Sequence, residues 1–160
     1  MASFISKVIC RSGGKNSALA ILIAILLCSC EKNDLVEYPA IPEIKLISLS
    51  HDTIRQYQDV LIIRIGYQDG DGDLGFEDPE EYALFVRDIR LAEFDGFYVG
   101  PLAPPDAEIP VQGELTIEFP SLFLFGNGDL EPTRFEIKMI DRAGHESNLL
   151  ESGTVIITRN

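Results

Sequence analysis

Glu114-Leu115-Thr116-Ile117-Glu118-Phe119 decides the fold class. Polar Glu114, Thr116 and Glu118 alternate with apolar Leu115, Ile117 and Phe119. That period of two belongs to a strand with one wet and one buried face, not to a helix. Phe135, Ile137 and Met139 alternate with Arg134, Glu136 and Lys138 in the same way. Asp59 to Gln68 (DVLIIRIGYQ) is rich in β-branched residues and apolar on both faces except at Arg64, as a central strand requires. Residues 44–50, 82–90 and 154–158 are further strand candidates. Asp95-Gly96, between Phe94 and Phe97, reads as a tight hairpin turn. Pro101, Pro104, Pro105 and Pro110 exclude regular structure from the stretch between them. About seven short strands without helical periodicity, repeat or second domain predict an all-β fold over residues 43–160, arranged as a β-sandwich.

Charge and hydropathy divide the 160 residues unevenly. All 26 acids lie beyond residue 29, against 13 bases in the whole chain. The acidity argues against a nucleic-acid partner, which needs a basic footprint. The first 29 residues instead hold Lys7, Arg11 and Lys15, then the apolar run Ala18 to Leu27 and Cys28-Ser29-Cys30. A basic start, a short apolar core and small residues make a signal peptide over residues 1–29. The apolar run spans only about 15 Å as a helix, roughly half a bilayer core.

Leu27-Cys28-Ser29-Cys30 resembles the lipobox of bacterial lipoproteins, in which Leu stands three residues before the acceptor cysteine and a small residue stands just ahead of it. The resemblance implies cleavage after Ser29 and acylation of Cys30, with palmitate-type chains, on its sulfur and new amino terminus. Several acyl chains, each worth about 0.8 kcal/mol per buried methylene, hold a protein firmly on a membrane. Cys10 and Cys28 would leave with the leader, so no internal disulfide could form. Glu31-Lys32-Asn33-Asp34 is similar to the export tag of Bacteroidota-type surface lipoproteins, although Asn33 interrupts the acids. This implies an outer-membrane, cell-surface location, with a periplasm-facing anchor as the alternative. Residues 30–42, with Pro39 and Pro42, read as a lipidated tether reaching about 20 Å as a coil. Phe135 to Asn148 (FEIKMIDRAGHESN) resembles the penultimate strand and following turn of immunoglobulin-like domains of bacterial surface proteins. That resemblance implies an immunoglobulin-like sandwich.

The segment Asp69-Gly-Asp71-Gly-Asp73-Leu-Gly75-Phe-Glu77-Asp78-Pro-Glu80-Glu81 carries seven acids and no base. Carboxylates at i, i+2 and i+4, separated by glycines, let a loop curl until its oxygens converge. Converging oxygens are what a hard cation such as Ca²⁺ binds, taking six to eight of them at about 2.3–2.6 Å. Without the ion, the convergence is repulsive. With Asp69 as position 1, Asp71, Asp73, Gly75 and Glu80 occupy the ligand positions 3, 5, 7 and 12 of an EF-hand. Leu74 stands where that loop needs Gly, Pro79 constrains the approach to Glu80, and a strand precedes the loop. The expectation is therefore a Ca²⁺ loop grafted on a sandwich, with Asp69, Asp71 and Asp73 as its main ligands and Glu80 as a further one. An immunoglobulin-like topology would bring Asp141, and with it Asn148, to the same end; Asp141 alone reads equally well as a turn-initiating residue.

Little else carries chemistry. Residues 30–160 offer His51 and His145 without a free thiol, a poor zinc set. No Gly-x-Ser-x-Gly elbow occurs, and Gly13-Gly14-Lys15 lacks the spacing of a phosphate loop. His145, Asp141 and Ser147 fall in one turn, too close in sequence for a nucleophilic triad. The chain reads as non-enzymatic, a lipid-anchored binding or accessory module that contacts another envelope protein, such as an outer-membrane protein, or an extracellular ligand. The alternative is a carbohydrate-binding lipoprotein of a nutrient-uptake system. Phe94, Phe97 and Tyr98, with Phe119, Phe123 and Phe125, read as core-filling aromatics. Ser121 to Phe125 is the best candidate for an exposed apolar loop.

Overall fold

The computed structural model describes residues 38–104 and 106–159. The signal peptide, Cys30, the residues 31–34 and the tether as far as residue 37 lie outside the described residues. Among the described residues the chain is all-β and has no helix, so none that could cross a membrane. Its strands are β1 (Glu43–Leu49), β2 (Thr53–Arg55), β3 (Leu61–Asp69), β4 (Leu84–Asp88), β5 (Asp95–Phe97), β6 (Val111–Phe119), β7 (Leu130–Thr133), β8 (Phe135–Met139), β9 (Leu150–Glu151) and β10 (Val155–Thr158). They form three sheets with strand orders β1-β3-β6, β2-β10-β7 and β5-β4-β8-β9. The first and third are antiparallel, while β2 runs parallel to β10.

Alternation dictates which faces are buried. Leu61, Ile63 and Ile65 of β3, Phe135, Ile137 and Met139 of β8, and Val155 and Ile157 of β10 are buried, each at most 1% exposed. With Ile54, Leu84, Val86 and Ile117 they form one continuous cluster, so all three sheets share a core. Each such side chain contributes about 1.5–3 kcal/mol of burial. Phe119 stacks on Phe135 with centroids 4.4 Å apart. Arg64, the one charged residue of β3 ahead of its terminal Asp69, stays outside and pairs with Glu114 across the sheet. In β1 a bulge between Leu46 and Ser48 leaves Ile47 without a partner.

The strand count is ten, not about seven, because the short strands β2, β5 and β9, of three, three and two residues, carry too few alternations to be read. β7 contains Pro132, which is accommodated because β7 is the edge of its sheet, where a missing N–H is tolerated. Asp95-Gly96 is not a hairpin turn. Both residues belong to β5 and pair with Val86 and Phe85. The chain reverses earlier, where Leu91 N–H donates to the Asp88 carbonyl at 2.8 Å and Arg90 folds back on Asp88. The packed chain also begins ahead of Glu43: Gly70 N–H donates to the Pro39 carbonyl at 2.8 Å, and the Tyr38 hydroxyl to Gln112 at 2.8 Å.

Candidate metal centre

Asp69 is the last residue of β3 and shares the inward register of Leu61, Ile63 and Ile65. Its carboxylate is therefore carried to the end of the core, with no exposure to solvent. The chain then turns sharply. Gly72 (φ 73°) and Gly75 (φ 84°) adopt left-handed backbone, and a Cβ on either would sit 2.2 Å from the carbonyl of Ile109 or Gly100. Leu74, fully buried, bridges to Asp141 and accepts at its carbonyl from Leu102 N–H at 3.1 Å. These contacts press the acidic loop against both the proline-rich stretch and the turn after β8.

The result is a carboxylate cluster from two distant segments. Asp69, Asp73 and Asp141 each offer an oxygen, all within 4.8 Å of one another. Oxygens on opposite sides of a Ca²⁺ ion stand about 5 Å apart, so the spacing fits one ion among the three. Both oxygens of Asp69, and Oδ1 of Asp71 and of Asp73, are buried without a hydrogen-bond partner. Buried acceptors of this kind are rare and costly, and an unfilled ion site is one of their few explanations.

Asp69 is pushed up to about 6, first by burial and then by the charges of Asp71 and Asp73. The Asp73 amide faces it and offsets part of this, without reaching hydrogen-bonding geometry. Asp73 is also raised, by burial and then by Asp141 and Asp71, although Ala143 N–H donates to its Oδ2 at 3.0 Å. The nearest guanidinium, Arg142, does not quench the cluster by direct contact. It donates to the carbonyls of Gly75 at 2.8 Å and Gly72 at 3.4 Å, clamping the loop's shape. Asp141, 1% exposed, is oriented by His145, whose backbone N–H donates to Oδ1 at 2.7 Å and whose Nδ1 lies 2.9 Å from Oδ2. Such an outer partner fixes a ligating carboxylate in place.

Of the five residues expected from sequence, Asp69, Asp73 and Asp141 come together, and Asp71 lies close enough to raise two of them. Glu80 does not join: it is exposed, in a turn where its N–H donates to Asp78 Oδ1 at 2.9 Å. Asn148 is elsewhere as well, its amide bridging the N–H and carbonyl of Ile44 at 2.9 Å each. Arg142 and His145 were not foreseen as supports. Their only local sign is the Asp141-Arg-Ala-Gly144 turn, with Gly144 at φ 87°. No triad forms around His145, since Ser147 Oγ donates to the Asn148 carbonyl and accepts from Met139 N–H.

Comparison with known protein families, with curated proteins and with solved structures finds no match to this chain.

Proposed function

We propose that this chain is a lipid-anchored envelope protein whose immunoglobulin-like sandwich is a non-catalytic binding module, locked at one end by Ca²⁺. The observation that carries the calcium reading is the Asp69 carboxylate, completely buried with neither oxygen hydrogen-bonded, facing Asp73 and Asp141. Its energetics favour an ion. Two further carboxylates crowd a buried anion, and only a cation turns their mutual repulsion into attraction. Ca²⁺ suits the site better than Mg²⁺, which keeps more of its own water and demands stricter geometry. The ion would tie the β3–β4 loop to the turn after β8, a structural role rather than a catalytic one.

Anchoring rests on the leader and on Cys30, and surface display on Glu31 to Asp34. Changing Cys30 to Ser should release the chain from the membrane fraction of its host; retention there would overturn the anchor. Calcium is tested by melting the full chain with Ca²⁺ or with a chelator. The transition should move up with the ion and lose that increment in Asp71→Ala. Identical curves would remove the metal from the account.

One observation favours carbohydrate recognition as a second reading. On the β1-β3-β6 sheet, Gly66 and Gly113 leave a groove of about 440 Å³. Glu43, Lys45, Gln68, Gln112 and Glu114 line it, with amide and carboxylate groups of the kind that bind sugar hydroxyls. Glycan-array binding lost on Gln112→Ala would favour this reading.

A further inference from the structure

A second concave site among the described residues is apolar. Phe97, Phe119, Phe123, Phe125, Leu91 and Leu122 line a cavity of about 290 Å³, at the lower end of the range for ligand pockets. Core filling accounts for Phe119, which stacks on the buried Phe135, but not for the other rings. Phe97, Phe123 and Phe125 are 39–47% exposed, and so, at 44%, is Tyr98; composition reads these rings as core, while the 121–125 segment also reads as an exposed apolar loop. An exposed cluster of this kind marks an interaction site.

The cavity is held rigid from behind. Arg90, buried at the wall, donates to Asp88, to Glu131 Oε1 at 3.0 Å and to the Phe123 carbonyl at 2.9 Å. Glu131 in turn accepts from the backbone N–H groups of Phe125 and Gly126 at 3.0 and 3.1 Å. The guanidinium lies 4.1 Å from the centre of the Phe125 ring. On the outer side Tyr57 stacks on Phe123, centroids 5.7 Å apart and planes 8° from parallel. Tyr57 achieves this at φ 59°, a left-handed backbone that is costly for a bulky side chain. A loop that merely covered the core would not need a strained, solvent-facing tyrosine.

Charge decides the occupant. Arg90 stands between two carboxylates, Asp88 and Glu131, so that trio is net negative, and Asp95 adds an exposed carboxylate to the lining. Asp88 and Glu131 share the single positive charge of Arg90, so aromatic faces beside this net negative wall and the exposed Asp95 attract an apolar group that carries positive charge. We propose that this cavity binds a partner polypeptide, which inserts an aromatic or branched aliphatic side chain flanked by Lys or Arg. The site stands apart from the calcium reading and does not depend on it.

The test is an NMR titration of the ¹⁵N-labelled full chain with three capped tripeptides: Lys-Phe-Lys, Glu-Phe-Glu and Lys-Ala-Lys. Lys-Phe-Lys should shift amides of residues 90–97 and 121–126 and bind at least about tenfold more tightly than either control. Phe123→Ala should abolish the shifts. Asp95→Asn, at an exposed position, should weaken binding about two- to fivefold while leaving the parent's melting transition in place. Equal binding of Glu-Phe-Glu, shifts elsewhere, or no shift at millimolar Lys-Phe-Lys would overturn the proposal. So would shifts at 121–126 with phosphatidylcholine bicelles but not with peptide, which would make the rings a membrane contact.

Discussion

Asp69 and Asp88 are both buried aspartates on strands of one core, and they differ in almost everything else. Asp88 is surrounded by donors: Arg90 through its backbone and guanidinium, and the Thr133 hydroxyl. Burial alone would raise it, but these hydrogen bonds outweigh burial and hold it below the ordinary carboxylate range. Asp69 has no hydrogen bond to either oxygen, has other acids as neighbours, and is raised to about 6. A buried acid with its donors in place is a finished structural element. A buried acid without them is half of an interaction, and the missing half must be a proton or a cation.

The largest expected effect breaks the finished side. Asp88→Ala leaves Arg90 with Glu131 as its one carboxylate partner, and removing one member of a buried pair costs about 3 kcal/mol or more. Urea unfolding should show this loss equally with calcium and with chelator. Next comes the unfinished side. Calcium at about a hundredfold over its dissociation constant should stabilise the chain by about 2.7 kcal/mol. Asp69→Asn should remove that gain, yet be at least as stable as the parent in chelator, because it deletes a repulsive charge.

The two aspartates also oppose one another in pH. Asp69 ionises less readily folded, near 6, than unfolded, near the usual value of about 3.9. The folded state therefore binds more protons across that window, and the chelated protein should lose on the order of 2 kcal/mol as pH rises from about 4 to 6. Asp88, lowered in the fold, contributes stability that is present at neutral pH and is lost only as pH falls below its unfolded value, toward its folded one. Melting in chelator should thus peak in mildly acid solution. Calcium should restore the neutral side by holding Asp69 ionised. The smallest effect sharpens the site's boundary: Glu80→Ala should change stability by less than about 0.5 kcal/mol with or without calcium.

Much of this division is legible in the sequence, and for local reasons. Strict alternation marks β6 and β8, and the β-branched run marks β3. The i, i+2, i+4 acids announce the loop because the spacing itself makes their oxygens converge. Asp141 is reachable only by a topological argument, since 72 positions separate it from Asp69. Glu80 misleads because position 12 of an EF-hand returns to the ion through a helix, whereas here the chain leaves by an Asp78 turn into β4. Arg142 is invisible beforehand because it reaches carbonyls 67 and 70 positions away, and His145 because its local i, i+4 contact with Asp141 is formed only by the way this turn folds. Composition marks Phe94, Phe97 and Tyr98 as core, while Ser121 to Phe125 is legible as an exposed apolar loop, and only the packing decides which rings face water.

Calorimetric titration of Ca²⁺ into the chelator-treated full chain tests the central claim most directly. A saturable single-site heat that disappears in Asp69→Asn and persists in Glu80→Ala is the predicted result. The absence of binding in the parent chain, or undiminished binding in Asp69→Asn, would contradict a cation at the buried, unpartnered carboxylate.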